Sequence, residues 1–203
     1  MAINAYIPNA TDGTVSVIDT ATNTVSTTVT VGSSPTGAAV TPDGTQVYVT
    51  NSSHSSNSVS VIDTATNTVG ATISVGSNPI GVAVTPDGTK VYVANADTTV
   101  SVIDPSTNTL TTTITGITDG PYAVAVTPDS TQVWITNNAG VPTDTYIIDT
   151  ATNTVSTTIN TGVLISIAFT PNGNQAYATN AGPAVSVINT NTRSITTFNI
   201  RNL

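Results

Sequence analysis

Apolar and polar positions alternate along this chain in short runs, with Gly, Pro, Asn and Asp clustered between them. Val, Ile, Tyr and Thr dominate the runs, a pattern that predicts β-strands joined by tight turns. Four strands can be placed in one stretch of sequence: strand A over Gly37–Thr41, B over Val47–Asn51, C over Ser58–Asp63 and D over Thr68–Val75. The A–B link is Pro42-Asp43-Gly44, where Pro fixes φ, Asp bonds the local backbone and Gly accepts positive φ. The C–D link is DTATNT, whose Asp and Asn suit Asx-type turns. No segment joins helical apolar spacing to an N-cap, so a βαβ reading fails.

The same pattern recurs down the chain. SVID ending at Asp19 returns as SVID at Asp63, SVID at Asp104, YIID at Asp149 and SVIN at Asn189, at intervals of 44, 41, 45 and 40 residues by subtraction. TPDG starting at Thr41 returns as TPDG at Thr85, TPDS at Thr127 and TPNG at Thr170. A single four-stranded meander leaves two apolar faces wet. Each buried Val or Ile stabilises by roughly 1.5–3 kcal/mol, so such units are expected to stack face to face. A four-stranded repeat of this length predicts an all-β fold, a β-propeller of about five four-stranded antiparallel blades. The expected blades are approximately residues 1–32, 33–76, 77–116, 117–161 and 162–203 of a single domain.

The strand B segments read YIPN at Tyr6–Asn9, YVTN at Tyr48–Asn51, YVAN at Tyr92–Asn95, WITN at Trp134–Asn137 and YATN at Tyr177–Asn180. Followed each time by the VID-type strand, this resembles the YVTN-repeat β-propellers typified by prokaryotic surface-layer proteins. The resemblance implies a propeller and an extracellular or cell-surface setting. It fixes no activity, because related propellers include lyases, lactonase-like enzymes and plain scaffolds.

Composition narrows the chemistry. Charged residues are only 7% of the 203, and all eleven acids are Asp; with Lys90, Arg193 and Arg201 the only bases, the formal charge is -8. A surface of that sign repels phosphate backbones, so nucleic acid is not an expected partner. The absence of cysteine excludes disulfides, thiolate metal sites and cysteine nucleophiles. MAINAYIPN has no basic n-region or apolar h-region, and no run approaches about 18 apolar residues, so neither an export signal nor membrane insertion is expected.

No GxSxG elbow is present, and the single histidine, His54, lies in a Ser-rich loop with no second His and no Glu in the chain. A general base or metal ligand there has nothing to complete it, and His54 is read as a solvated loop residue. Asp19, Asp63, Asp104 and Asp149 share one turn position, and Asp43, Asp87 and Asp129 another. Equivalent positions in different blades cannot converge on one ion, so these acids are read as turn formers. The recurrent Asn closing each YVTN segment is expected to bond backbone at a blade turn, and the aromatic opening it to pack between blades. Asn9-Ala10-Thr11 and Asn51-Ser52-Ser53 match glycosylation sequons, short patterns that arise by chance in so Asn-, Ser- and Thr-rich a chain. No cofactor, catalytic residue or metal ligand is predicted.

Comparing repeats within the chain, the A–B and C–D turns are nearly invariant, whereas the B–C and D–A connections vary in length and composition. In an up-and-down blade these two sets emerge on opposite faces. Loops on a rigid scaffold are where specificity usually sits, so the variable face is the candidate contact surface, with Asp12, His54, Asn57, Asp97, Asp119, Tyr122 and Asp144 as its candidate residues. The expected function is a non-enzymatic scaffold or binding module for protein or glycan. The alternative is a lactonase-like hydrolase or a lyase using a loop-bound divalent ion. Nineteen strands can be counted where a five-bladed ring needs 20, because the first blade lacks its inner strand A. The three-stranded blade is expected to be tolerated as such, completed by another chain, or left open within a longer propeller; an unpaired edge is a pairing site, and self-association is the favoured of these readings.

Overall fold

The computed structural model describes residues 4–53, 56–118, 120–138 and 144–200. Among them are nineteen strands and no helix. The first sheet holds β1 (Asn4–Asn9), β2 (Thr14–Asp19) and β3 (Thr24–Thr30). The second holds β4 (Pro35–Val40), β5 (Gln46–Asn51), β6 (Ser58–Asp63) and β7 (Thr68–Ser74), and the third β8 (Pro79–Val84), β9 (Val91–Asn95), β10 (Thr99–Asp104) and β11 (Thr109–Ile114). The fourth comprises β12 (Pro121–Val126), β13 (Gln132–Asn137), β14 (Asp144–Asp149) and β15 (Thr154–Asn160). The fifth comprises β16 (Leu164–Phe169), β17 (Gln175–Asn180), β18 (Ala184–Asn189) and β19 (Ile195–Asn199). Every neighbouring pair is antiparallel, and each sheet runs in sequence order. These are the blades of a β-propeller, the first of them three-stranded, with the outer edge of β1 unpaired among the described residues.

Strand A starts earlier than the pattern predicts and stops before Thr41. Pro35 pairs with Asn51, and a bulge separates that pair from Ala38–Val49. Thr41 has already entered the turn: its hydroxyl donates to Asp43 at 2.6 Å and accepts the Gln46 N–H at 3.1 Å. Gly44 sits at φ 72° in that turn and donates its N–H to Thr41 O at 2.8 Å, the left-handed conformation for which Gly carries no Cβ penalty.

The core lies between sheets rather than within any one of them. Four apolar clusters fill the four gaps between consecutive blades. Between the second and third blades, Tyr48, Val59, Val61 and Ile73 meet Val91, Val93 and Ile103. The inner strands approach closely because small residues allow it: a Cβ on Gly37 would lie 2.5 Å from Ile80 O, and one on Gly81 2.3 Å from Tyr122 O. No such cluster joins the fifth blade to the first among the described residues. Among the described residues the stack is an arc whose two end faces are uncovered.

Candidate functional site

The antiparallel order sends the A–B and C–D turns to one face of every blade and the B–C and D–A connections to the other. On the first face the acids are consumed by their own turns. Asp63 Oδ1 accepts the N–H groups of Ala65 and Thr66 at 2.9 and 2.8 Å. Asp87 Oδ1 accepts the Thr85 hydroxyl at 2.5 Å, the Thr89 N–H at 3.0 Å and the Thr89 hydroxyl at 2.9 Å. The Thr66 N–H holds the Asp63 carboxyl below the usual carboxylate range, and the Thr85 hydroxyl does the same for Asp87; hydrogen bonds to the charged form favour it.

The final residue of each C–D turn has a second task. Asn23, Asn67, Asn108 and Asn153 all hold φ near 54°, between 53° and 55°, a conformation Asn tolerates better than most residues. Three of these amides receive the phenol of the preceding blade: Tyr6 donates to Asn67 at 2.9 Å, Tyr48 to Asn108 at 2.5 Å and Tyr92 to Asn153 at 2.7 Å. Burial pushes the Tyr48 phenol up to about 12, and Tyr92 upward as well. In the first three blades the recurrent aromatic therefore packs between blades and also latches one blade to the next.

At the junction of the fourth and fifth blades both partners differ. Trp134 stands for Tyr, and Arg193, at φ 63°, stands for Asn. The guanidinium lies 5.0 Å from the Trp134 ring, and both Arg193 Nη2 and Trp134 Nε1 donate to Gln132 Oε1, at 3.3 and 3.2 Å. A cation–π contact replaces a hydrogen bond. Phe169 meets the same indole edge-on at 5.3 Å. Sequence reasoning missed this exchange, although its signal was present: the one Trp among five aromatics is matched, one repeat later, by the one non-Asn.

The Asn that closes each YVTN segment behaves otherwise than expected. Asn51 and Asn95 are fully buried, and their amides donate to side-chain hydroxyls of the next strand, Asn51 to Ser58 and Ser60 at 3.0 Å each, Asn95 to Thr99 at 3.1 Å and Ser101 at 3.0 Å. Asn9 likewise bonds Thr14 and Ser16. Asn137 meets the backbone expectation, donating to Thr118 O at 2.9 Å, and Asn180 Oδ1 accepts the Ser186 hydroxyl at 3.0 Å. The Asn51 amide of the Asn51-Ser52-Ser53 sequon is buried and bonded, and so inaccessible to glycan transfer in the folded state.

On the variable face, Asp97 is exposed and ties two connections together, its carboxylate accepting the Ser77 N–H and the Thr99 hydroxyl, each at 2.6 Å. Asn57, half-buried at φ 37°, accepts the Asn78 N–H at 3.0 Å. Asp12 is exposed in the turn after β1. Tyr122 and Asp144 are not loop residues: Tyr122 is the second residue of the innermost strand β12 and Asp144 the first of β14, both half-buried, because pairing extends further toward this face than alternation alone predicts. His54 and Asp119 lie outside the described residues. The described candidates are spread over the first four blades, Tyr122 and Asp144 sharing the fourth, and among the described residues no three His, Cys, Asp or Glu side chains gather to hold a metal ion.

Concavities occur on the opposite, regular face. A groove of about 530 Å³ runs between the turns of the fourth and fifth blades, past Asp129, Gln132, Asn172 and Arg193. Another of about 720 Å³ lies between the first and second, past Tyr6, Asp43, Asp63 and Asn67.

Fold and turn geometry define a β-propeller. The family model described as YNCE-like beta-propeller matches residues 46–180, well over half the chain, and the chain belongs to that family. No curated protein matches it. Among solved structures, a chain of the Kuenenia stuttgartiensis hydrazine synthase is similar, with a TM-score of 0.89 and 26% identity over 97% of this chain and 63% of that one. The chain thus spans less than two thirds of that relative's length.

Proposed function

We propose that the protein is a non-enzymatic binding or scaffold propeller that contacts a protein or glycan at the cell surface through the face carrying the B–C and D–A connections. The observation that supports this most is the contrast between faces. On one, Asp and Asn side chains are engaged in repeated turn bonds; on the other, each blade carries a different connection, with exposed acids such as Asp12 and Asp97 over a rigid sheet stack. The YVTN-type repeats, like those of surface-layer propellers, support the surface setting.

A glycan array, run with the parent chain and with a variant whose 96–98 connection is replaced by Gly-Ser, tests the reading. Binding by the parent that the replacement removes, and that Asp43→Asn leaves intact, is the expected result. Binding lost only on changing the TPDG turns overturns the face assignment. A stoichiometric, tightly held divalent ion in protein purified without chelator favours the hydrolase or lyase alternative instead.

A further inference from the structure

The two ends of the arc are halves of the same contact. At the internal junctions an aromatic on strand B of one blade enters the C–D turn of the next, and the surrounding apolar side chains close over it. The fifth blade offers the first half without a partner. Tyr177 is 46% exposed and Phe198 55% exposed, whereas Tyr48 and Tyr92 at the Tyr177 position are fully buried. The Tyr177 hydroxyl reaches only Gln175 of its own strand, at 3.4 Å. The first blade offers the second half. Asn23 keeps the same left-handed turn conformation as Asn67, Asn108 and Asn153 and is exposed with no aromatic over it. Ile7 is 47% and Val25 59% exposed, while Val49, at the Ile7 position of the second blade, is fully buried.

We propose that a second copy of this chain covers these faces, the fifth blade of one copy stacking on the first blade of the next, with Tyr177 donating to Asn23. The occupant is specified by the chain itself: its internal junctions show what a face carrying Tyr177 and Phe198 packs against, and the face carrying Asn23, Ile7 and Val25 has that pattern. The contact is heterologous, so copies add head to tail. It lacks one element of the internal junctions. Where Thr50 Oγ1 on β5 donates to Ile80 O on β8 at 2.8 Å, no strand of the first sheet stands in the place of β8 to answer β17 among the described residues. Association is therefore weaker than an internal junction, reversible and concentration-dependent. This surface is separate from the loop face proposed to bind ligand, and the two readings stand or fall independently.

The absence of cysteine makes the test clean. Tyr177→Cys and Asn23→Cys are made in separate chains. The phenol and the amide between them hold the two Cβ atoms roughly twice as far apart as the about 4.5 Å a disulfide spans, so each variant is treated, alone and in mixture, with a bis-maleimide cross-linker. The expected product is a mixed cross-link of one chain of each kind, with neither variant cross-linking to itself. Light scattering of the parent is expected to show mass rising with concentration, and Phe198→Asp to weaken association at least about tenfold, the equivalent of about 1.4 kcal/mol. The doubly substituted chain closes the question of a folded-back arc: a maleimide cross-link within one monomer means that the blades meet intramolecularly and overturns the proposal. A parent that stays monomeric at all concentrations, with no mixed cross-link, overturns it equally.

Discussion

Tyr48 and Tyr177 open the same motif in different blades, yet Tyr48 is fully buried with its hydroxyl on Asn108, and Tyr177 is nearly half exposed with its hydroxyl on its own strand. The two blades share their antiparallel strand order and most of their turn chemistry, although the C–D pair of the second carries a register shift that the fifth lacks. What separates the two tyrosines is whether another sheet lies behind. In a stack, burial belongs to the neighbour pair rather than to the repeat, so identical sequence positions carry very different energetic weight.

The sharpest way to break this comparison is to place a charge at each kind of site. Ile62 is fully exposed to protein and not at all to water, in the gap between the first and second blades; Ile7 is 47% exposed. Ile62→Asp buries an unpaired acid, at a cost of several kcal/mol, and is expected to abolish a cooperative thermal transition followed by circular dichroism. Ile7→Asp is expected to stay within about 1 kcal/mol of the parent. Equal losses would show that the end face is not free.

Two glycines give the next contrast. A Cβ on Gly76 would fall 2.6 Å from both Asn95 Nδ2 and Thr99 Oγ1, whereas one on Gly70 meets nothing within 4 Å. Gly76→Ala must displace the buried Asn95 and is expected to destabilise by about 1–3 kcal/mol. Gly70→Ala, on an open strand surface, is expected to be neutral or to stabilise by up to about 1 kcal/mol. Chemical denaturation of the two variants side by side separates a junction buttress from a passive glycine.

The two kinds of latch can be exchanged. Trp134→Tyr or Arg193→Asn alone breaks the cation–π pair, while the double change installs the Tyr–Asn pair of the other junctions. The double variant is expected to recover about 1 kcal/mol relative to the sum of the singles. Strict additivity in the cycle would mean that Trp134 and Arg193 are neighbours without coupling. By the same logic Tyr48→Phe is expected to lose about 1 kcal/mol and Tyr177→Phe nothing measurable in the monomer.

How much of this was legible in sequence depends on the range of the interaction. Strand identity and turn chemistry are local: alternation in SVSVID and the TPDG residues state them directly, and the nineteen strands follow. The strand ends were less legible, since Thr41 is β-branched and apolar-flanked, yet its hydroxyl serves the turn. Partners some 60 residues apart, such as Tyr48 and Asn108, required knowing that blade n meets the turn of blade n+1. The open end faces were hidden for a further reason, because nothing in YATN differs from YVTN in a way that announces exposure. At the candidate loop face, alternation stopped short of Tyr122 and Asp144, whose strands begin before their apolar runs do.

The smallest expected effect comes from the regular face, where the sequence itself supplies a control. The fifth blade has Asn172 where the others have Asp, and its Oδ1 accepts the Thr170 hydroxyl at 2.7 Å and the Asn174 N–H at 3.1 Å, matching what Asp87 does with Thr85 and Thr89. Asp87→Asn is therefore expected to change stability at neutral pH by no more than about 0.5 kcal/mol. Its signature lies in acid. Asp43, Asp63, Asp87, Asp104, Asp129 and Asp149 all have carboxyls held below their ordinary range, the Thr hydroxyl leading for Asp43, Asp87 and Asp129, the Ser106 hydroxyl for Asp104 and a backbone N–H for Asp63 and Asp149. A depressed folded-state value means the unfolded chain takes up protons first. The stabilisation is thus present above the ordinary carboxylate value of about 4 and is lost as pH falls through the lower folded values. The melting temperature of the parent is expected to drop on acidification below that point, and Asp87→Asn to drop less steeply because one carboxylate no longer titrates. Parallel acid limbs for the two proteins would show that the Thr85–Asp87 bond does not distinguish the charged from the neutral side chain.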